Sequence, residues 1–136
     1  MARLRVLIVD DERTILFTLV RTLPGAWTIT AEPSAEAALK RFEAGETFDV
    51  ILLDLMIPHV SGMVLFAEIQ QKWPAMSGNV IFMTGGLYIP AVRVFLDALP
   101  GHIVLEKPFL LAEVVDAVLK LQEKKKHTNG TSPPDA

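Results

Sequence analysis

The sequence predicts an α/β domain in which a parallel sheet, buried on both faces, is wrapped by helices on either side. Short continuous apolar runs alternate with stretches whose apolar residues recur at helical spacing. The hydrophobic fraction is 51% and the mean hydropathy +0.37, which suits strands covered on two faces rather than one. The ends of the apolar runs add a third observation. Leu4–Val9 stops at Asp10-Asp11-Glu12, Val50–Leu53 at Asp54, Val80–Met83 at Thr84, and Ile103–Leu105 at Glu106-Lys107-Pro108. In an open parallel sheet the carboxyl ends of the strands share one edge, and ligands bind there. Carboxylates, a hydroxyl and an ammonium far apart in sequence are therefore expected to converge.

The elements follow in order. Leu4–Val9, rich in β-branched residues, is a buried strand. Glu12–Leu23 carries Ile15, Leu16, Leu19, Val20 and Leu23 at helical spacing and is stopped by Pro24-Gly25. Trp27–Ala31 is a short edge strand. Ser34 offers an N-cap to a second helix, whose stripe is Ala35, Ala38, Leu39 and Phe42 and whose end is Gly45. Phe48–Leu53 is the most apolar strand and is placed at the centre. Pro58–Gly62 is a loop, and Met63–Trp73 a third helix with Val64, Leu65 and Ile69 inward, closed by Pro74. Val80–Met83 is the fourth strand. After Gly85-Gly86, Pro90–Leu99 forms a fourth helix with proline in its first turn. Pro100-Gly101 turns into Ile103–Leu105, and Leu110–Glu123 is the fifth helix. Residues 1–123 thus form one domain of five strands and five helices, with helices on both faces of the sheet through right-handed crossovers. The polar tail 124–136, with Gly, Ser and two prolines, is expected to be disordered.

Composition narrows the function. Net charge is −3 and the basic residues are scattered, without the clustered basic face that nucleic acid requires. No cysteine is present, which excludes disulfides, thiol catalysis and thiolate metal sites and fits a cytoplasmic location. The apolar stretch after Arg3 and Arg5 is too short for a signal-peptide core. No run approaches the roughly 20 residues of a spanning helix, so no membrane crossing is expected.

If Asp10, Asp11 and Asp54 meet, their charges repel. A hard divalent cation relieves this, and Mg²⁺ takes one or two carboxylates together with waters and phosphate oxygens. That combination points to phosphoryl chemistry. Lys107 would neutralise a phosphoryl oxygen as a point charge, Thr84 would donate a hydrogen bond to another, and Gly85 would leave room for the group. A carboxylate held in line with a metal-bound phosphate is a competent nucleophile. Each residue also has a plainer explanation. Asp10-Asp11 could cap the first helix, Asp54 could open a loop, Thr84 could end a strand, and Lys107 could be a solvated lysine. It is their joint occurrence on one sheet edge that chance explains poorly.

Val9-Asp10-Asp11-Glu12, Leu53-Asp54-Leu55-Met56-Ile57-Pro58, Met83-Thr84-Gly85 and Glu106-Lys107-Pro108-Phe109, in this order and spacing, resemble the CheY-like receiver domain of two-component response regulators. The resemblance runs from Arg3 to Glu123. It implies a flavodoxin-like sheet of strand order 2-1-3-4-5. It implies Asp54 as phosphoacceptor for a phosphoryl group from a histidine kinase or its phosphotransfer domain. Mg²⁺, or Mn²⁺ in its place, would be bound by Asp11, Asp54 and the backbone carbonyl of Met56, with Asp10 acting through water. Thr84 would be the switch hydroxyl, Lys107 would hold the phosphoryl group, and the Lys107-Pro108 bond would be cis. A protein output partner is implied, and no enzymatic activity beyond self-phosphorylation and slow autodephosphorylation. The face of the fourth and fifth helices is a candidate for dimerisation.

Three positions depart from the family. Val104 stands where an aromatic switch residue is common, which leaves Phe95 or Tyr88 as substitutes or the switch weaker. Met56 and Gly86 occupy positions that tune phosphate loss, and neither side chain positions a water, so a long-lived phosphoryl group is expected. The segment Leu87–Phe109 is closer to receiver modules fused to sensor histidine kinases. Both a stand-alone regulator and a piece of a hybrid kinase fit. Other classes fit less well. An aspartate-nucleophile phosphatase needs an acid at Met56. A nucleotide or flavin binder needs a phosphate loop where Asp10-Asp11-Glu12 stands. An interaction module that works without phosphorylation is kept open by Val104. Leu87, Tyr88, Ile89 and Val92 make an apolar entry to the fourth helix, either a partner surface or core packing.

Overall fold

The computed structural model of the chain describes residues 3–59 and 61–130. Its strands are β1 (Arg5–Val9), β2 (Thr28–Glu32), β3 (Val50–Asp54), β4 (Val80–Thr84) and β5 (Val104–Glu106). The helices are α1 (Arg13–Thr22), α2 (Ala35–Glu43), α3 (Gly62–Lys72), α4 (Pro74–Ser77), α5 (Pro90–Asp97) and α6 (Leu111–Gly130). All pairings are parallel, and the strand order is β2-β1-β3-β4-β5, as the resemblance implied. The most apolar run, β3, occupies the centre with every residue buried.

Alternation along the strands sorts the core into two layers, because successive side chains leave opposite faces of a sheet. Val6, Ile8, Val50, Leu52, Ile81 and Met83 pack with Leu16 and Leu19 of α1 and Val114 and Val118 of α6. Leu7, Val9, Ile51, Leu53 and Phe82 pack with α2, α3 and Val92 of α5. Asp10 and Asp54 continue the even-numbered rows of β1 and β3. The register pairs Val9 with Leu53, so the two acids come out side by side.

The structure corrects several expectations. Pro74 does not merely close the third helix; it opens a short separate helix, α4, so six helices are present among the described residues rather than five. Proline has no N–H to lose in a first turn and its φ is already helical. The third helix begins one residue earlier than expected, at Gly62, where the Ser61 hydroxyl accepts the Val64 N–H at 3.2 Å. Val20 and Val64, expected inward, are exposed. The last helix does not end at Glu123 but continues to Gly130. Lys124 and Lys125 donate to the carbonyls of Gly101 and Asp49, contacts that a composition reading of a polar segment misses. Residues 131–136 of the expected tail lie outside the described residues. Among the described residues no helix is long and apolar enough to cross a membrane.

Candidate functional site

Three strand ends use the same local device. Asp10 Oδ1 accepts the Glu12 N–H at 2.8 Å, Asp54 Oδ1 accepts the Met56 N–H at 2.9 Å, and Thr84 Oγ1 accepts the Gly86 N–H at 2.8 Å. Short polar side chains bond the backbone two residues on and so turn the chain out of a strand. At 0%, 2% and 0% exposure these groups are far more buried than strand terminators need to be. Each aspartate also keeps one oxygen that its turn does not use.

Those oxygens meet Lys107. Its Nζ lies 2.8 Å from Asp10 Oδ2, 3.0 Å from Asp54 Oδ2 and 3.4 Å from Glu12 Oε1. Lys107 follows β5, where its N–H donates to the Thr84 carbonyl at 2.8 Å and its bond to Pro108 is cis. A Cβ on Gly85 would touch only the Lys107 Cβ, at 3.8 Å, so the pocket stays open beside Thr84. The cavity above these groups is about 300 Å³ and is rimmed by Asp11, Glu12, Met56 and Tyr88. A larger cavity of about 700 Å³, bounded by Asn79, Leu99, His102 and Ile103, has no carboxylate in its lining and offers no comparable chemistry.

Burial pushes the Asp10 carboxyl up to about 6, against the pull of Lys107 and of the Glu12 amide, and the Asp54 charge adds to the rise. Burial also works against the Lys107 charge, but the close negative charges of Asp10 and Asp54 outweigh it and hold the ammonium above its ordinary range. The site is thus an acidic cluster compensated by one cation.

A divalent cation fits this donor set. Carboxylate oxygens of Asp10, Asp11 and Asp54 lie within 4.8 Å of one another. Asp10 Oδ2 is buried and accepts no aligned hydrogen bond, its Lys107 contact being an ion pair only. All three donors are hard oxygens, the preference of Mg²⁺. Asp11, exposed at the rim, is the most accessible of them.

The structure brings together Asp10, Asp11, Asp54, Met56, Thr84 and Lys107 around one pocket end of the sheet. It leaves Val104 at the edge, 37% exposed, while Phe95 packs edge-on against Phe66 and Phe82. The apolar entry to α5 divides. Leu87 and Ile89 pack on the core and Val92 is buried within it, whereas Tyr88 is 83% exposed. Two residues escaped the sequence reading. Glu12 contacts Lys107, and its position beside Asp10-Asp11 was the available signal. Gly62 lets α3 approach the end of β3, since a Cβ there would lie 2.1 Å from the Asp54 carbonyl oxygen. A glycine directly after a capping serine was its signal.

Residues 6–119 match the response regulator receiver domain. The chain belongs to that family. It is 31% identical over 112 residues to the DNA-binding transcriptional regulator NtrC of Escherichia coli, covering 82% of this chain and 23% of NtrC. It is 27% identical over 118 residues to the response regulator receiver protein CpdR of Brucella abortus, covering 86% of this chain and 95% of that protein. Among solved structures it is similar to a CheY-like response regulator receiver domain protein from Methanospirillum hungatei. That match has a TM-score of 0.78 and 25% identity, and covers 93% of this chain and 99% of the other. The chain therefore spans about a quarter of the length of relatives such as NtrC, and nearly all of others.

Proposed function

We propose that residues 1–123 act as a phosphoacceptor module in a two-component phosphorelay, with Asp54 accepting the phosphoryl group of a phosphohistidine on a histidine kinase or its phosphotransfer domain. The observation that carries this reading is the Lys107 ammonium 3.0 Å from Asp54 Oδ2, inside a cluster of three carboxylates. The Asp54 carboxylate attacks phosphorus, a P–O bond forms and the P–N bond to the imidazole breaks. The Met56 amide and Lys107 fix the direction of the Asp54 carboxylate, which limits the reorientation needed for in-line attack. Lys107 then turns a donor to the phosphoryl oxygens, and Thr84 releases the Gly86 amide to hydrogen-bond another. Asp10, Asp11, Asp54 and the Met56 carbonyl would hold Mg²⁺, or Mn²⁺ in its place. The metal supplies charge neutralisation for the transferring group.

The module has no catalytic output of its own beyond this transfer and slow autodephosphorylation. Movement of Thr84 and its loop shifts a two-state equilibrium read by a protein partner in the cytoplasm. The face of α5 and α6, with Val94 71% and Leu119 52% exposed, is the surface for that partner or for dimerisation. Incubation with Mg²⁺ and a small phosphodonor, followed by intact mass, tests the reading. One phosphate adduct that disappears in Asp54→Asn is expected. Absence of any adduct in a chain that binds Mg²⁺ favours a module that works without phosphorylation.

A further inference from the structure

Glu12 stands at the N-cap of α1, yet its side chain makes no capping hydrogen bond. Short polar side chains such as Asp or Ser ordinarily accept an amide of the first turn in that position; the longer Glu side chain can reach past it. Here Oε1 turns instead to Lys107 Nζ, at 3.4 Å. The Glu12 N–H is tied to Asp10 Oδ1 at 2.8 Å, so the backbone is held at the pocket rim while the side chain has two positive ends within reach. An ammonium has three donors, and Asp10, Asp54 and Glu12 are its three acid neighbours. Their side chains are 0%, 3% and 55% exposed. Glu12 alone of the three can leave at little cost in packing.

We propose that Glu12 is a positioning residue for phosphoryl acceptance: a removable counter-charge that occupies Lys107 while the pocket is empty and yields it by swinging back to cap α1. This rests on the phosphoacceptor reading above. A phosphoryl group brings close to two negative charges and strong acceptor oxygens into a cavity that Glu12 lines. Like-charge repulsion then drives Glu12 outward as the phosphoryl oxygens take its donor on Lys107. The helix N-terminus, which favours an acid, receives the displaced carboxylate. Glu12 therefore opposes occupancy of the pocket by phosphoryl-like anions and keeps Lys107 compensated without them.

Beryllofluoride, an aspartyl-phosphate mimic, titrated calorimetrically in Mg²⁺ into the wild type, Glu12→Gln and Glu12→Asp, tests this, with urea unfolding of each variant alongside. Glu12→Gln is expected to bind roughly two- to fivefold more tightly, the scale of a half-exposed ion pair. Glu12→Asp keeps the charge but is one methylene too short for Lys107 and well suited to capping. It is expected to bind more tightly than wild type and to raise the urea midpoint. Equal or weaker binding in both variants overturns the proposal, as does a loss of stability in Glu12→Gln with unchanged affinity, the result for a plain cap. Should Glu12→Gln not fold, Glu12→Asp decides alone. If the wild type itself takes up no beryllofluoride, the phosphoacceptor reading falls, and this inference with it; equal affinities in all three proteins sink only the role of Glu12.

Discussion

A methyl group on Gly62 would sit 2.1 Å from the carbonyl oxygen of Asp54 and 2.7 Å from the Leu55 Cα. The obstructing atoms are backbone, so no side-chain rotation relieves the clash. Either α3 retreats or the end of β3 shifts. Gly62→Ala is expected to cost about 3 kcal/mol in urea unfolding, the upper range of overpacking, and to weaken Mg²⁺ binding through displacement of Asp54. A stable variant with unchanged Mg²⁺ affinity contradicts this.

Asp10 sets a pH dependence with a definite sign. Its carboxyl ordinarily titrates at 3.8 and is raised to about 6 in the folded chain, mainly by burial. Between these values the folded state holds more protons than the unfolded one, so stability of the metal-free protein falls as pH rises through that window. Above it the whole cost, roughly 3 kcal/mol, is present. Lys107, held above its ordinary value, stabilises through neutral pH and loses that contribution only in strong alkali. In EDTA, Asp10→Asn is expected to be more stable than wild type at pH 7.5, and the advantage to shrink by pH 5. Paired urea titrations at the two pH values check it. Mg²⁺ affinity of the wild type is expected to drop below about pH 6.

Met56 is 45% exposed at the pocket rim, and its sulfur lies 3.2 Å from where a Cβ on Gly86 would be. An apolar side chain there cannot direct a water at phosphorus. Met56→Asn is expected to shorten the lifetime of the phosphorylated form several-fold. Release of inorganic phosphate from pre-phosphorylated protein measures it. Complete hydrolysis of the wild type within seconds would contradict the premise.

His59 has φ of 66°, the left-handed region that a side chain enters only at a cost. It lies in the loop between β3 and α3. His59→Gly is expected to raise stability by about 1 kcal/mol, and His59→Val to lower it by a similar amount. Thermal unfolding of the pair distinguishes this from a loop indifferent to sequence.

β1, β3 and β4 were legible because each is an apolar run ended by a polar residue, and burial on both faces demands that pattern. The acids and Thr84 were legible only together: each alone has an ordinary role at a strand end, but their coincidence on one sheet edge does not. Contacts between distant segments were not legible. Glu12 and Lys107 are separated by 95 positions, and no periodicity links them. Pro74 was ambiguous in principle, since the residue that stops one helix is equally suited to start another. The extension of α6 to Gly130 was hidden because polar residues carry no amphipathic signal. Its anchors, the Gly101 and Asp49 carbonyls, belong to other parts of the chain.

β5 is three residues long, lies at the margin of the sheet and has a neighbour only in β4. Lys107, leaving it, crosses above β4 and β3 to reach Asp10 beyond β1. The shortest strand is thus moored by a charged guy-line that runs from its end to the ends of β3 and β1. Any event that alters the charge on Asp54 slackens or tightens that line. Amide exchange at Leu105, paired with Met83 of β4, would register it.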